Sequence, residues 1–373
     1  MKSPLARRRV SVLVCDDSAF LRVTLRRVIE SDEELVVADV ARNGEEAVEK
    51  AIRLKPDVIT MDLHMPVVDG ITALKDIVRL KIAPVIMLSA STTEDAQVTM
   101  DAMEAGAFDF IPKPSEVGSL ETQAAEITRK LKQAAASDLY GKWQYEARSP
   151  VQTPGISVSP GPPISSATGG QGFKAVVVGL STGGPRAIYQ VLPYLPAGLN
   201  AAVFVVQHMP TAFIGTFTQR LARKTALECI ESSAGMKVEP RKIYVATGGY
   251  HLKLVQPRGG DIRIRQTKEP RHVFMPSVDV TMHSVCDIFA AETIGVLMTG
   301  MGRDGAEAMA RIVKTGGATI VESEETAVVF GMPQEAIKRG GAQRVVPNWA
   351  IAAEIINAIG GENPRPPHNP QNP

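Results

Sequence analysis

The chain has few cysteines, almost no net charge and no long hydrophobic run. Cys15, Cys229 and Cys286 are far apart and odd in number, which fits neither a disulfide framework nor a zinc site and favours a reducing cytoplasm. The formal net charge of +1 gives no reason to expect nucleic acid as the main partner. No apolar run has the length of a transmembrane helix, and Val10–Cys15 is too short for a signal peptide. We therefore expect a cytoplasmic protein that is not inserted in a membrane.

Residues 10–133 alternate apolar strand-like runs with segments of helical spacing. The predicted strands are Val10–Cys15, Leu35–Ala41, Asp57–Met61, Val85–Ser89 and Phe108–Ile111. The predicted helices are Ala19–Glu30, Gly44–Leu54, Thr72–Leu80, Thr93–Ala105 and Glu116–Gln133. This alternation predicts an α/β domain with a doubly wound parallel sheet.

The composition changes after this domain. Residues 149–172 contain 5 Pro, 5 Gly and 5 Ser. This stretch therefore has too little apolar surface to fold alone. We assign a flexible linker to 134–172, a second α/β domain to 173–360, and tails to 1–9 and 361–373, the latter disordered. The strands predicted for the second domain are Ala175–Gly179, Ala202–Gln207, Lys242–Ala246, Ile294–Met298 and Ala318–Val321. A glycine turn within His251–Gln266 predicts a hairpin.

Charged and hydroxyl side chains follow the strands of the first domain. Because the carboxyl ends of parallel strands meet at one edge of a sheet, these side chains should gather there. Three crowded carboxylates would repel unless a hard cation such as Mg²⁺ joins them, and a lysine and a hydroxyl beside them would hold a phosphoryl group. For any single member of the set, a role as a helix cap is the better interpretation. For all five in this order, it is not. The five are Asp16, Asp17, Asp62, Ser89 and Lys113.

With these residues in place, the first domain resembles the receiver domain of bacterial two-component response regulators. The motifs that carry the resemblance are Cys15-Asp16-Asp17-Ser18, Met61-Asp62-Leu63-His64-Met65-Pro66, Asp69-Gly70, Leu88-Ser89-Ala90 and Pro112-Lys113-Pro114. The resemblance implies a flavodoxin-like fold and phosphorylation of Asp62 by a sensor histidine kinase. It implies Mg²⁺ ligands at Asp17, Asp62 and the backbone carbonyl of His64, with Asp16 in support. It also implies a phosphate contact at Lys113 and switch residues at Ser89 and Phe110.

The second domain opens with a strand, a glycine-rich turn and a helix start, Lys174–Pro185. Ser181 lies at the end of this strand, inside a G-x-S-x-G pattern formed by residues 179–183. Such a site suits a serine nucleophile, because backbone N–H groups there favour a developing negative charge. The pattern alone is weak, and a phosphate-binding or inert glycine-rich turn is an equally good interpretation.

A serine nucleophile needs a base, and His208 follows the next predicted strand at the same sheet edge. Asp304 lies in a glycine-rich turn after a later strand, where it could orient His208 or merely cap a helix. The chain order Ser, His, Asp differs from that of α/β-hydrolases. A surface or packing role is the better interpretation for the remaining histidines, namely His251, His272 and His283, and His368 lies in the tail.

Residues 173–360 resemble the catalytic domain of the chemotaxis protein-glutamate methylesterase family, CheB. The matching stretches are Gly179-Leu180-Ser181-Thr182-Gly183-Gly184-Pro185, Val206-Gln207-His208-Met209-Pro210, Pro276-Ser277-Val278-Asp279 and Thr299-Gly300-Met301-Gly302-Arg303-Asp304-Gly305. The resemblance implies a Rossmann-like fold and a triad of Ser181, His208 and Asp304, with the backbone N–H of Met301 as oxyanion contact. It implies demethylation of glutamate γ-methyl esters, and deamidation of glutamines, on methyl-accepting chemotaxis receptors. No cofactor is expected in this domain.

Phosphorylation is expected to activate the enzyme, because the unmodified receiver would cover the active-site edge. Three alternatives fit the sequence less well. A DNA-binding output would need a basic recognition face, which the second domain lacks. A dinucleotide-binding oxidoreductase would need G-x-G-x-x-G, which residues 179–184 do not match. A non-catalytic output domain is disfavoured because all three triad residues are present.

Overall fold

The computed structural model describes residues 8–90, 92–113, 119–137, 172–258 and 260–360. Most of the predicted linker, residues 1–7 of the N-terminal tail and the C-terminal tail lie outside the described residues. The chain divides into two compact units, Met1–Tyr140 and Gly141–Pro373. The finer boundaries that we assigned at residues 133, 173 and 360 stay predictions.

The first unit contains one five-stranded sheet in which every neighbouring pair is parallel. Its order is β2-β1-β3-β4-β5. From β1 the chain goes to β2 at one edge, then crosses to β3 and continues through β4 to β5 at the other edge. The strands are β1 (Val10–Cys15), β2 (Leu35–Ala41), β3 (Val58–Asp62), β4 (Val85–Ser89) and β5 (Asp109–Pro112). The helices are α1 (Ala19–Glu30), α2 (Gly44–Leu54), α3 (Gly70–Arg79), α4 (Thr93–Ala105) and α5 (Ser119–Ala136). The predicted doubly wound fold is confirmed.

Apolar patterning explains this arrangement. Strands β3 and β4 are buried at every position, as expected for parallel strands covered by helices on both faces. Helices α1 to α4 bury one face each and begin at capping side chains. For example, Asp69 accepts a hydrogen bond from the backbone N–H of Thr72 at the start of α3.

The second unit contains a seven-stranded parallel sheet of order β14-β13-β12-β6-β7-β9-β8 and a separate antiparallel pair, β10-β11. Its strands are β6 (Lys174–Leu180), β7 (Ala201–Gln207), β8 (Glu228–Glu231), β9 (Lys242–Val245), β10 (His251–Val255), β11 (Arg263–Thr267), β12 (Thr293–Leu297), β13 (Ala318–Glu322) and β14 (Arg344–Val346). Its helices are α6 (Gly184–Ala187), α7 (Thr211–Lys224), α8 (Val278–Phe289), α9 (Ala306–Lys314), α10 (Gly331–Lys338) and α11 (Asn348–Ile359). Short 3₁₀ turns cover Ile188–Gln190, Leu192–Tyr194 and Ala290–Glu292.

The predicted parallel sheet and hairpin of the second unit are confirmed, but two strands were missed. Both β8 and β14 lie at the outer edges of the sheet. They are short, and only one residue of each is buried, Cys229 in β8 and Val346 in β14. The run of apolar residues that reveals a central strand is therefore absent from both.

The order of the large sheet places a topological switch point at the end of β6. From β6 the chain goes to β7 on one side, and it later returns to β12 on the other side. Ligands bind at such a switch point in open α/β sheets. Among the described residues, no helix is long and apolar enough to cross a membrane.

Candidate active site

Three carboxylates of the first unit gather at the carboxyl edge of its sheet. Oxygen atoms of Asp16, Asp17 and Asp62 all lie within 4.8 Å of one another, and Asp16 and Asp62 are buried. The Lys113 ammonium lies 2.7 Å from Asp62 Oδ2 and 3.2 Å from Asp16 Oδ2. The predicted acidic cluster and its lysine are therefore brought together.

Burial and mutual repulsion dominate the electrostatics of this cluster. Burial, and then the charge of Asp62, raise the pKa of Asp16. Burial alone would lower the pKa of Lys113, but its contacts with Asp62 and Asp16 outweigh burial and raise it. A set of hard oxygen donors with excess negative charge fits Mg²⁺.

The other receiver residues lie around this cluster. The backbone N–H of His64 points to Asp62 Oδ1 at 3.3 Å, whereas its imidazole Nε2 lies 2.6 Å from Asp95 Oδ1. Ser89 is buried at the end of β4, where its hydroxyl accepts from Thr99 Oγ1 at 2.6 Å and donates to the Ala90 carbonyl at 3.1 Å.

Phe110 is buried in β5, and the Lys130 ammonium bonds its carbonyl oxygen at 2.7 Å. The same ammonium lies 5.6 Å from the centroid of the Phe110 ring. Both Ser89 and Phe110 therefore have hydrogen-bonded or packed partners away from Asp62 in this structure.

In the second unit, backbone hydrogen bonds join the ends of three neighbouring strands. The N–H of Ser181 after β6 donates to the Thr299 carbonyl after β12 at 3.0 Å. The N–H of His208 after β7 donates to the Leu180 carbonyl at 3.0 Å. Ser181 therefore lies between the turn that carries His208 and the turn that carries Met301.

Close approach of these turns requires a glycine. An added Cβ at Gly300 would lie 2.8 Å from the Ser181 Cβ and 2.3 Å from the Met332 sulfur. Only a residue without a side chain lets the turn after β12 come this near to the serine. Met301, the predicted oxyanion contact, follows Gly300 directly.

His208 and Asp304 form a buried pair. His208 Nε2 lies 2.7 Å from Asp304 Oδ2, and their side chains are 6% and 2% exposed. The other ring nitrogen, Nδ1, is buried and has no hydrogen-bond partner in the part of the chain that the structure describes. Since Nε2 is committed to Asp304, Nδ1 is the nitrogen left to accept a proton.

Asp304 does not cap the helix that follows it, because Gly305 is the N-cap of α9. Instead, Asp304 binds the N-terminus of α8. Its Oδ1 accepts from Ser277 Oγ at 2.8 Å and from the Asp279 N–H at 3.0 Å, and its Oδ2 accepts from the Val278 N–H at 2.8 Å. These backbone groups carry the positive end of the helix dipole.

The same contacts keep Asp304 ionised. Burial opposes ionisation most strongly, but the hydrogen bond and charge of His208 and the N–H groups of Asp279 and Val278 outweigh it. The pKa of Asp304 is therefore held well below its usual range. An ionised carboxylate at this position can stabilise the imidazolium that forms when His208 accepts a proton.

Three further residues hold the site together, and sequence reasoning did not single them out. Phe274 stacks on the His208 ring with centroids 4.1 Å apart and planes 11° apart. The Gln207 side-chain amide donates to the carbonyls of both Ser181 and His208, at 2.9 and 3.0 Å. The Thr299 hydroxyl donates to the Thr182 carbonyl at 2.9 Å. The one available signal was that Gln207 and Thr299 adjoin predicted strand ends.

Two histidines that sequence reasoning set aside lie close to the pair. His251 is fully buried; its Nδ1 accepts from the Ser277 N–H at 3.1 Å and its Nε2 donates to the Pro270 carbonyl at 3.0 Å. His272 Nε2 lies 4.0 Å from Asp304 Oδ1. His251 thus has a packing role, as expected, but it packs against the helix start that holds Asp304.

Comparisons with known proteins match both units. Residues 176–355 match the CheB methylesterase family, and residues 12–125 match the response regulator receiver domain family. A relative from Syntrophomonas wolfei, named protein-glutamate methylesterase/protein-glutamine glutaminase 3, is 49% identical over 94% of this chain and 99% of its own length. A relative of the same kind from Carboxydothermus hydrogenoformans is 43% identical, again over 94% and 99% of the two chains.

Proposed function

This chain belongs to the family of protein-glutamate methylesterases/protein-glutamine glutaminases that join a receiver domain to a CheB methylesterase domain, and we propose that Ser181, His208 and Asp304 carry out its hydrolysis. The activity is demethylation of glutamate γ-methyl esters and deamidation of glutamines in chemotaxis adaptation. The substrates are methyl-accepting chemotaxis receptors. The 2.7 Å contact between His208 and the ionised Asp304 carries the proposal.

The reaction begins with proton transfer from Ser181 Oγ to His208 Nδ1. Oγ attacks the carbonyl carbon of the ester, and the backbone N–H of Met301 stabilises the oxyanion that forms. Asp304 stabilises the imidazolium and keeps the ring oriented. Collapse of the intermediate releases methanol, which takes the proton from His208. Water, deprotonated by His208, then attacks the acyl-enzyme, and glutamate is released as His208 returns the proton to Ser181 Oγ. With a glutamine side chain, the first leaving group is ammonia instead of methanol.

A serine-directed fluorophosphonate tests the catalytic assignment. The reagent should label Ser181 in the intact protein, and Asp304→Asn should slow the labelling because the base is weakened. Mass mapping of the adduct identifies the serine. An adduct on another serine, with Ser181 unmodified, would contradict the assignment.

For the receiver unit, we propose that Asp62 accepts the phosphoryl group from a histidine kinase. Asp17, Asp62 and the backbone carbonyl of His64 would hold Mg²⁺, with Asp16 in support. The ion would neutralise negative charge as the phosphoryl group approaches. Lys113, already 2.7 Å from Asp62 Oδ2, is positioned to contact the phosphoryl oxygens.

We propose that rearrangement of Ser89 and Phe110 links phosphorylation of Asp62 to activation of the esterase. The Ser89 hydroxyl must leave Thr99 and Ala90 to reach a phosphoryl group on Asp62, and Phe110 would repack as β4 moves. Such a two-state change is how a local charge alters a distant activity. Asp62→Asn should abolish the response of esterase activity to a small-molecule phosphodonor. A full response in this variant would overturn the phosphoacceptor assignment without affecting the triad.

A further inference from the structure

An apolar surface lies on the solvent side of the segment that covers His208. Val273 is 90% exposed, Met275 is 38% exposed and Tyr250 is 40% exposed. The Gly249 N–H donates to the Met275 carbonyl at 3.1 Å, which joins the two stretches. We call Tyr250, Val273 and Met275 the apolar rim.

The rim is connected directly to the catalytic imidazole. Phe274, between Val273 and Met275, stacks on the His208 ring at 4.1 Å. Its two neighbours in sequence, Val273 and Met275, are exposed to solvent. Exposed apolar side chains grouped beside a site usually mark a binding surface rather than a packing defect.

Positive charge flanks the rim. The Lys268 ammonium lies 5.3 Å from the centroid of the Tyr250 ring, and Arg271 is exposed two residues before Val273. Glu269 is the one acidic residue between Lys268 and Val273, so the flank is net positive.

We propose that the apolar rim binds the stretch of the protein substrate that flanks the reacting glutamate; this inference rests on the proposed function. When an ester on a protein side chain reaches Ser181, the substrate residues that flank it must contact the enzyme surface beside the site. The reacting methyl esters and amides are neutral, but each position already converted is a glutamate, so a segment with several such positions carries negative charge that suits the basic flank. Apolar contact at the rim would then supply affinity, and the flank would orient the segment.

The test compares two substrates on the intact, phosphodonor-treated protein. One is a receptor fragment that carries glutamate γ-methyl esters, and the other is p-nitrophenyl acetate, which is too small to reach the rim. In Val273→Asp, the ratio of kcat/KM for the receptor to kcat/KM for the small ester should fall about 10-fold or more, chiefly through KM. Val345→Asp, at an exposed valine on the edge strand β14, is the matched control and should leave both values unchanged.

Three outcomes would overturn the inference. The ratio of the two kcat/KM values could be unchanged in Val273→Asp. Both kcat/KM values could fall by the same factor, which would mean that the segment only supports Phe274 and His208. Receptor hydrolysis without phosphodonor could instead rise, which would assign the rim to inhibition by the receiver. Failure of the wild-type protein on both substrates would contradict the proposed function rather than the rim.

Discussion

Asp304 and Val278 are 26 residues apart in the chain, yet Asp304 Oδ2 accepts the Val278 backbone N–H at 2.8 Å. The same oxygen lies 2.7 Å from His208 Nε2. The carboxylate is thus bound to a helix N-terminus, which keeps it ionised and fixed in position for its histidine. An added Cβ at Gly179 would lie 2.4 Å from a Val278 methyl carbon, so glycine in β6 is what lets this helix start come close.

Asp304→Asn should lower kcat roughly 10⁴-fold, because the amide cannot stabilise the His208 cation. It should also lower the free energy of unfolding, because an NH₂ group would face the N–H donors that the carboxylate now accepts. Methanol release and urea denaturation measure the two effects. The matched control is Asp279→Asn, at a half-buried acid nearby whose Oδ1 accepts from the Ala308 N–H at 2.8 Å. An equal loss of kcat in both variants would contradict the specific role of Asp304 in stabilising the His208 cation.

Thr299→Val should lower kcat roughly 10²-fold, because it frees the turn after β12 to shift relative to Ser181. The hydroxyl donates to the Thr182 carbonyl and accepts from the Val329 N–H at 2.9 Å, so valine removes both hydrogen bonds. Thr299→Ser keeps the hydroxyl and should restore most of the activity. The control is Thr293→Val in β12, whose buried hydroxyl lacks a partner among the described residues. Similar losses in Thr299→Val and Thr293→Val would show that the effect is general destabilisation.

Gln207 holds the nucleophile turn to the base turn, so its replacement should separate Ser181 from His208. In Gln207→Glu, a carboxylate would face the two carbonyl oxygens that now accept hydrogen bonds, and activity at pH 7.5 should fall roughly 10²-fold. Activity relative to wild type should recover as pH is lowered, because a protonated glutamate can donate one of the bonds. Gln207→Met should show a loss that does not depend on pH. The same pH profile in both variants would contradict the bridging role.

The buried imidazole of His251 should make the free energy of unfolding of the catalytic unit depend on pH. Burial lowers the pKa of this imidazole from its ordinary value of 6.5, with the positive charge of His272 acting in the same direction. The Pro270 carbonyl and the charge of Asp304 oppose this shift, and Lys253 adds to it slightly. Between the two pKa values the unfolded chain binds more protons than the folded chain, so the free energy of unfolding falls as pH drops below about 6.5.

The contribution of His251 should reach at most about 1.4 kcal/mol per pH unit. Urea denaturation at pH 7.5 and 5.5 should therefore show a smaller pH effect in His251→Gln than in the wild-type protein. The glutamine can keep the bond to the Pro270 carbonyl. An unchanged pH effect in this variant would mean that His251 is not the titrating group.

The main elements of both folds could be predicted from the sequence because buried parallel strands are continuous apolar runs. The strand-end rule then placed Asp16, Asp62 and Lys113 at one edge, and Ser181 and His208 at another. The missed edge strands β8 and β14 are short and partly exposed, so their composition resembles that of loops.

The supporting contacts of the active site could not be predicted in the same way. Phe274 lies 66 positions after His208 in the numbering, and no local pattern indicates that their rings stack. The attachment of Asp304 to the start of α8 depends on how β6 and α8 pack in three dimensions. Local sequence also allowed Asp304 to cap the helix that follows it, but Gly305 is the N-cap of that helix.

The most direct test of the account is methanol release from a methylated receptor fragment by the full chain, with and without a small-molecule phosphodonor and Mg²⁺. We predict release that rises with the phosphodonor in the wild-type protein, does not rise in Asp62→Asn and is lost in Ser181→Ala. Release that persists in Ser181→Ala would contradict the central claim that this serine is the nucleophile.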